Sequence, residues 1–249
     1  MSLLHARDDF SVNQAFRFIF LPSGALGRSE VEELESAFNA PLISSYNASE
    51  VSRITMDPLP PGLRKPGTVG VPVICEVSIR SLDGEFVATG TRGEVVVRGP
   101  DVFDGYENAP ELNAMAFVDG WFRTGDEGFF DEDGYLTLTG RIKEWINRGG
   151  EKVSPAEVDA VLMGHPMVSE AATFPVPHPT LGEEVAAVVI SKSNSGLTTK
   201  ELRAYLLERL SGFKTPKLIV FADDIPKSAA GKVQRHKLAE TLGVKIGTK

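Results

Sequence analysis

Hydrophobic and polar residues change their period along the chain, and each change marks a different kind of segment. Over residues 28–39 the apolar side chains recur at helical spacing, which predicts one amphipathic helix with Ser29 as its N-cap. The apolar runs 16–20 and 41–46 flank this helix and predict two strands. A strand, a helix and a strand in this order are typical of a parallel sheet covered by a helix.

Between residues 73 and 140 the period shortens to two, as in half-buried strands. The turn dipeptides Asp83-Gly84 and Asp133-Gly134 lie beside such alternating runs, and residues 94–98 are rich in valine. The proline- and glycine-rich stretch 58–70 separates this part from the preceding one. The pattern predicts a compact β subdomain of short strands joined by tight turns.

Beyond residue 141 the pattern indicates helices and strands together. Ser154, Pro155 and Glu157 predict a helix that begins with an N-cap, a first-turn proline and a capping box. Thr198 and Glu201 predict a second capping box, for a helix that reaches Leu210. The strands predicted here are 171–173, 185–190 and 218–221.

We therefore expect an α/β fold followed by an α+β fold. Residues 1–142 would hold the parallel-sheet unit and the β subdomain. Residues 143–249 would form a small α+β domain of about a hundred residues, which is a normal size for an independent domain.

The composition, with 42% hydrophobic and 24% charged residues, is typical of a soluble globular chain. No apolar run approaches the roughly 18 residues of a membrane-spanning helix, and residues 1–5 lack the features of a signal peptide. We therefore predict a cytoplasmic protein without a membrane span. Cys75 is the single cysteine, and its apolar surroundings predict a buried side chain rather than a catalytic thiol. The four histidines show no metal-ligand spacing.

The net charge of −8 is unevenly spread along the chain. Residues 143–249 carry 15 basic against 12 acidic side chains, a net charge of +3, which leaves −11 for residues 1–142. This asymmetry fits a site that receives phosphorylated ligands from the basic side, and ordinary surface variation explains it equally well. No basic run is dense enough to predict nucleic-acid binding.

Three separated blocks carry the most specific information: 121–126 (Trp-Phe-Arg-Thr-Gly-Asp), 140–158 (from Gly-Arg-Ile-Lys-Glu to Glu-Val) and 226–232 (Pro-Lys-Ser-Ala-Ala-Gly-Lys). In this order and spacing they resemble the ribose-binding, hinge and catalytic-lysine motifs of the adenylate-forming acyl-CoA synthetase family. Residues 57–61 and 65–70 resemble its oxalyl-CoA synthetase and fatty-acyl ligase branch.

The family holds ATP phosphates with a segment of the type Ser-Gly-Thr-Thr-Gly-x-Pro-Lys, which does not occur in this sequence. The resemblance therefore implies the C-terminal half of such an enzyme. Residues 1–142 would be the remainder of a large N-terminal domain, and residues 143–249 a mobile C-terminal domain. The chain alone is expected to be inactive, with the missing N-terminal part of the same enzyme as its partner. Whether it forms homo-oligomers is left open.

Residues 46–50, Tyr-Asn-Ala-Ser-Glu, resemble the family's Tyr-Gly-x-Thr-Glu segment. The resemblance implies that Tyr46 stacks on adenine, that the Ser49 hydroxyl meets the α-phosphate, and that Glu50 holds Mg²⁺. Asn47 replaces a glycine and puts in question how closely the backbone approaches the nucleotide. Taken singly, each of these residues would more often be structural. The complete nucleotide set implied is Gly24, Ala25, Tyr46, Asn47, Ser49, Asp126 and Arg141, the last two on the ribose.

Lys232 matches the family lysine that bridges the substrate carboxylate and the α-phosphate during adenylation. An ammonium suits this role because two anionic groups must approach each other in the transition state. Lys143 occupies the hinge position. Gly149, Gly150 and Lys152 match a loop that serves thioester formation, where a glycine leaves room for the thiol arm of coenzyme A. The alternative for the glycine pair is a plain turn.

The reaction implied by the resemblance has two steps and uses ATP, Mg²⁺ and coenzyme A. A small-molecule carboxylic acid reacts with ATP to give an acyl-adenylate and pyrophosphate, and the thiol of coenzyme A then gives the acyl-CoA and AMP. One alternative is an adenylation domain that loads a carrier protein, although such domains favour Asp where this chain has Lys143. The other alternative is a noncatalytic nucleotide-binding fragment.

Overall fold

The structure is a computed structural model that describes residues 16–22, 26–192, 196–228 and 233–244. These residues divide into two compact units, unit 1 up to Leu138 and unit 2 from Thr139. The division falls within one strand, β9, which spans Leu136–Arg141.

Unit 1 begins with the predicted strand, helix and strand. Strand β1 pairs in parallel with β2, with Ile19 opposite Leu42, and a helix connects them, so the predicted parallel unit is confirmed. The sheet order is β1-β2-β3-β4. Its elements are β1 (Ile19–Leu21), α1 (Arg28–Phe38), β2 (Leu42–Ala48), β3 (Val51–Met56) and β4 (Val71–Pro72).

The N-cap of helix α1 lies two residues earlier than the sequence predicts. Its N-cap is Gly27 and not Ser29, because the Glu30 carboxylate reaches back to accept a hydrogen bond from the Gly27 N–H at 3.0 Å. Glycine has no side chain that could cap the helix, so the acidic side chain in the first turn provides the capping hydrogen bond. The helix ends at Asn39, which adopts the left-handed conformation with φ 48°.

The predicted β subdomain is an antiparallel sheet that completes unit 1. Its order is β5-β6-β8-β7, and β9 also pairs with β8. Val95, Val97 and Phe122 of this sheet pack in one hydrophobic cluster with Val51 and Ile54 of the first sheet. Cys75 is buried in the same cluster, as predicted. The elements are β5 (Glu76–Arg80), β6 (Gly93–Arg98), α2 (Pro110–Ala116), β7 (Phe117–Val118), β8 (Trp121–Phe130) and β9.

Unit 2 is a five-stranded sheet with helices on both faces. The order is β11-β10-β13-β12, and β14 pairs in parallel with β13. Within the described residues, no helix has the length and apolar character needed to cross a membrane. The elements are a 3-10 turn (Ile142–Glu144), β10 (Ile146–Arg148), β11 (Glu151–Val153), α3 (Pro155–Met163), β12 (Val168–His178), β13 (Gly182–Ser191), α4 (Thr199–Leu207), β14 (Leu218–Phe221) and α5 (Arg235–Thr241).

Strand β13 has apolar side chains on both faces. Val185 and Val189 belong to the cluster that α3 and α4 cover, whereas Ala186 and Val188 belong to the cluster that contains Leu238 of α5. A strand buried on both faces accounts for the continuous apolar run in the sequence.

The two predicted capping boxes have different outcomes. Thr198 and Glu201 form theirs: the Thr198 hydroxyl accepts from the Glu201 N–H, and the Glu201 carboxylate accepts from the Thr198 N–H at 2.9 Å. Helix α3 begins at Pro155 after Ser154 as predicted, but its capping box is wrong. The Ser154 hydroxyl donates to the Thr139 carbonyl at 2.9 Å, and the Glu157 carboxylate is bound elsewhere in unit 2.

Candidate functional site

Tyr46 and Asp126 lie 80 residues apart in the sequence and meet inside unit 1. The Tyr46 hydroxyl of β2 donates a hydrogen bond to Asp126 Oδ2 of β8 at 2.5 Å. Tyr46 is 6% exposed and Asp126 is 7% exposed. A buried carboxylate needs donors to remain charged, and a phenol is one. Two of the predicted nucleotide residues are thus in direct contact.

Asp126 follows a glycine, which favours a turn, but Asp126 lies within strand β8. It lies in a bulge within β8, where three residues of β8 stand between the pairs Val96–Arg123 and Glu94–Glu127 and only one residue of β6 does. Gly125 supplies the left-handed conformation, with φ 72°, and its N–H donates to the Glu94 carboxylate at 3.1 Å. The bulge redirects the strand locally, and the Asp126 carboxylate meets Tyr46 there.

Glu50 stands in the tight turn between β2 and β3. Its Oε1 accepts a hydrogen bond from the Tyr106 hydroxyl at 2.8 Å, and its carbonyl accepts from the Phe103 N–H at 2.9 Å. Asn113 clamps Tyr106 by accepting from its N–H at 2.7 Å and donating to its carbonyl at 2.9 Å. Burial, and then the hydrogen bond to Glu50, raise the pKa of Tyr106, so the phenol stays a donor.

The residues around Glu50 are compatible with a magnesium ion that also binds phosphate. The described residues contain no cluster of three or more His, Cys, Asp or Glu side chains able to hold a metal alone. Mg²⁺ commonly takes one or two protein carboxylates and completes its shell with phosphate and water oxygens. The Glu50 carboxylate, fixed at one oxygen by Tyr106, fits that donor set.

The remaining predicted nucleotide residues are less informative. Asn47 follows Tyr46 where the pairing of β2 with β3 is irregular, and its Oδ1 accepts from the Ser45 hydroxyl at 2.8 Å. Ser49 is exposed in the turn. Gly24 and Ala25 lie outside the described residues.

In unit 2, Arg141 and Lys143 line one cavity of about 530 Å³ together with Ser228 and Val233. Lys143 is exposed and lies within the 3-10 turn. Ser228 and Val233 flank the segment that carries Lys232, which itself lies outside the described residues. An isolated antiparallel bridge pairs Lys227 with Val233.

Gly149 and Gly150 form the two-residue turn of the hairpin between β10 and β11. Their φ angles are 59° and 96°, the left-handed values of a turn that suits a two-residue hairpin. A Cβ on Gly149 would lie 2.9 Å from Leu181 Cδ2, whereas one on Gly150 would have open space around it. Turn geometry alone explains both glycines, and their role towards coenzyme A stays a prediction. Lys152 is exposed on β11.

An ion pair joins strand β10 of this hairpin to strand β13. Arg148 Nε donates to Glu184 Oε1 at 2.5 Å, and the Glu184 side chain is 4% exposed. Burial raises the pKa of the Glu184 carboxyl, but the hydrogen bonds from Arg148 and from the Val185 N–H outweigh it and lower the pKa. Sequence reasoning missed this pair because its members lie 36 residues apart. It also missed Tyr106, because Tyr106 and Glu50 lie 56 residues apart and no sequence spacing relates them.

Two family models match most of the chain, one on each side of the boundary between the two units. The model of the AMP-binding enzyme family matches residues 3–107, and that of the AMP-binding enzyme C-terminal domain matches residues 157–232. The chain belongs to this AMP-binding enzyme family.

Curated relatives extend the match beyond these two segments. The chain is 44% identical over 238 residues to an oxalate–CoA ligase of Arabidopsis thaliana, covering 95% of this chain and 46% of the relative. It is 45% identical over 229 residues to an oxalate–CoA ligase of Saccharomyces cerevisiae, covering 91% of this chain and 42% of the relative. The chain thus spans less than half the length of these relatives.

Solved structures agree in fold. The ATP-bound MatB of Rhodopseudomonas palustris superposes with a TM-score of 0.83 at 33% identity, over 90% of this chain and 45% of that one. O-succinylbenzoate coenzyme A synthetase of Bacillus subtilis, in complex with AMP, gives a TM-score of 0.78 at 31% identity, over 94% of this chain and 47% of that one. Both comparisons confirm the expected mixed α/β architecture.

Proposed function

We propose that the chain belongs to an AMP-forming acid–thiol ligase, an acyl-CoA synthetase. In the first step a carboxylate oxygen of the acid attacks the α-phosphorus of ATP, and the bond to pyrophosphate breaks. In the second step the thiol of coenzyme A loses its proton and attacks the acyl carbon, and AMP leaves. Residues 1–142 would bind the nucleotide, and residues 143–249 would supply the lysine loop and the glycine turn.

The contact between Tyr46 and Asp126 is the observation that carries this proposal. A carboxylate has about four acceptor positions, so Asp126 can keep the Tyr46 hydroxyl and still accept from ribose hydroxyls. Because Tyr46 is largely buried, its first role would be to orient the Asp126 carboxylate. Its stacking on adenine stays a prediction, as do the ribose contact of Arg141 and the α-phosphate contact of Ser49.

Charge explains the remaining assignments. Glu50 would hold Mg²⁺, which when bound neutralises phosphate charge and polarises the phosphorus that is attacked. Lys232 would stand beside the substrate carboxylate and the α-phosphate, where negative charge accumulates in the adenylation step. ATP and Mg²⁺ are supported by the neighbouring structures, one of which is a B. subtilis enzyme in complex with ATP and magnesium. Coenzyme A is supported by the names of the curated relatives.

The acid is best sought among those of the relatives. The two relatives at 44% and 45% identity are oxalate–CoA ligases, and others at 38% and 36% act by name on sulfoacetate and long-chain fatty acids. Oxalate is therefore the first acid to test.

Titration calorimetry of the chain with AMP tests the nucleotide site. We expect binding that Asp126→Asn weakens by about tenfold or more, since a charged acceptor contributes about 1.5–3 kcal/mol. Asp83→Asn is the matched control, because Asp83 is exposed in a turn of the same unit and should leave binding unchanged. Equal affinity in Asp126→Asn and the unchanged chain would contradict the proposal.

The complete reaction needs the preceding half of the ligase. A chimera that joins the preceding half of the Arabidopsis relative to this chain should exchange pyrophosphate into ATP when oxalate is present. The chain alone should show negligible exchange, because the sequence has no Ser-Gly-Thr-Thr-Gly-x-Pro-Lys segment. Exchange by the chain alone at the rate of the chimera would overturn this division of roles.

A further inference from the structure

Arg235 is the first residue of helix α5 and follows Lys232 by three positions. Its side chain is 19% exposed, so the guanidinium is largely removed from water. Nη1 donates to Asp159 Oδ2 at 2.7 Å and to the Thr173 carbonyl at 2.9 Å. Nε donates to Glu144 Oε2 at 3.2 Å. One side chain therefore joins α5 to helix α3, strand β12 and the 3-10 turn.

Asp159, the partner of Arg235 on α3, is itself held by a second hydrogen bond. Asp159 Oδ1 accepts a hydrogen bond from the Thr173 N–H at 2.6 Å, and the Asp159 side chain is 14% exposed. The carboxylate thus bridges α3 and β12 through Arg235 on one oxygen and the backbone on the other. A planar guanidinium that is bound at two of its edges has little freedom to rotate.

Described residues on both sides of the segment that carries Lys232 are attached to the rest of unit 2. Before this segment, Ile225 is 1% exposed in the cluster beneath α5, and Lys227 pairs with Glu170 at 2.6 Å. After this segment, Val233 pairs with Lys227, and Arg235 binds Asp159. Arg235 is the ionic attachment on this side.

We propose that Arg235 is a positioning residue: it holds the start of helix α5, three residues after Lys232, against α3 and β12 and against Glu144, the residue after Lys143. Its effect on catalysis rests on the proposed function, in which Lys232 acts in adenylation. The anchoring itself is a property of unit 2 and does not depend on any activity.

Hydrogen exchange measured by mass spectrometry on the chain tests the anchoring. Arg235→Gln should speed exchange in the segments 142–146 and 233–242 by about tenfold or more, because each loses an attachment. Arg235→Lys should restore part of the protection, since it keeps the charge but not the planar fork. Arg209→Gln is the matched control, because exposed Arg209 pairs with Glu208 at the end of α4.

Two outcomes would overturn the anchoring. In one, the segment 142–146 exchanges in Arg235→Gln as it does in the unchanged chain. In the other, exchange rises equally over all strands of unit 2, which is the sign of a general loss of stability. If Arg235→Gln does not fold, Glu144→Gln removes only the attachment to the 3-10 turn and should speed exchange in 142–146 alone; unchanged exchange there would refute the link.

The half-reactions of the chimera test the catalytic consequence. Arg235→Gln should lower kcat of pyrophosphate exchange by about 10- to 100-fold, as expected when a catalytic group is displaced by about 1 Å, with little change in KM for ATP. Thioester formation from supplied acyl-adenylate should fall much less. Equal losses in both steps would refute the positioning of Lys232. An inactive unchanged chimera would count against the proposed function, and the exchange data would still decide the anchoring.

Discussion

Replacing Tyr46 by Phe removes one hydroxyl from the centre of unit 1 and isolates its bond to Asp126. Tyr46 and Asp126 are both buried, at 6% and 7% exposed. A hydrogen bond to a charged group contributes about 1.5–3 kcal/mol. We therefore expect Tyr46→Phe to lower the free energy of unfolding of unit 1 by about 2–3 kcal/mol.

Urea unfolding followed by tryptophan fluorescence measures this loss. The chain has two tryptophans, and Trp121 lies in β8 of unit 1. Trp145 lies in unit 2, and its Nε1 is buried with no hydrogen-bond partner among the described residues, so a Trp145→Phe background loses no hydrogen bond there. In that background the signal reports unit 1. Tyr205→Phe, on α4 of unit 2, is the control and should leave the Trp121 transition unchanged.

A double-mutant cycle then assigns the loss to the pair. Asp126→Asn and the double variant complete the cycle, and a coupling energy of about 1 kcal/mol or more is expected for two directly bonded side chains. A Tyr46→Phe variant within about 0.5 kcal/mol of the unchanged chain, or a coupling energy near zero, would refute the reasoning.

Three further outcomes follow from unit 2. In the chimera, Lys232→Ala should slow adenylation by about 10²- to 10⁴-fold and largely spare thioester formation from supplied acyl-adenylate; equal losses would indicate a structural lysine. Gly150→Leu, at φ 96°, should lower the free energy of unfolding by about 1–2 kcal/mol from backbone strain alone and also obstruct thioester formation. Gly134→Leu, at φ 78° with equally open space, is its control and should show the strain without the obstruction. Because the pKa of Glu184 is lowered from its usual 4.5 in the folded state, the unfolded chain binds the proton first as the pH falls. The stabilisation by Arg148 should be complete above pH 4.5 and lost as the pH falls through the lowered pKa of the folded state. In Glu184→Gln the free energy of unfolding, measured in urea, should depend less on pH over this range. The same pH dependence in the variant and the unchanged chain would contradict the assignment.

The sequence predicts elements well where their signals are local. Thr198 and Glu201 form a capping box within three positions at an exposed helix start, and the pattern is confirmed. Ser154 and Glu157 show the same pattern, yet the Ser154 hydroxyl binds Thr139, and the Glu157 carboxylate binds a lysine 57 residues away. Tertiary partners compete with local ones, and no local pattern contains them.

The candidate site shows the same limit. Asp126 follows a glycine, which favours a turn, but pairing of β6 with β8 on both sides turns the segment into a bulge. The sequence of one strand alone does not determine its register with a neighbouring strand. Motif resemblance singled out Tyr46 and Asp126, whereas their hydrogen bond and the clamp of Asn113 on Tyr106 emerge only from the folded chain.

Strand β13 limits the changes of sequence length that unit 2 can accept. Because Val185 and Ala186 face different clusters, the insertion or loss of one residue would exchange every side chain between the two faces at once. The face under α3 and α4 would receive Ala186 and Val188 in place of Val185, Ala187 and Val189, and neither face could repack by a local shift. Recombination between relatives should therefore tolerate crossovers within β13 only in perfect register, while changes of length accumulate in the loops that follow it.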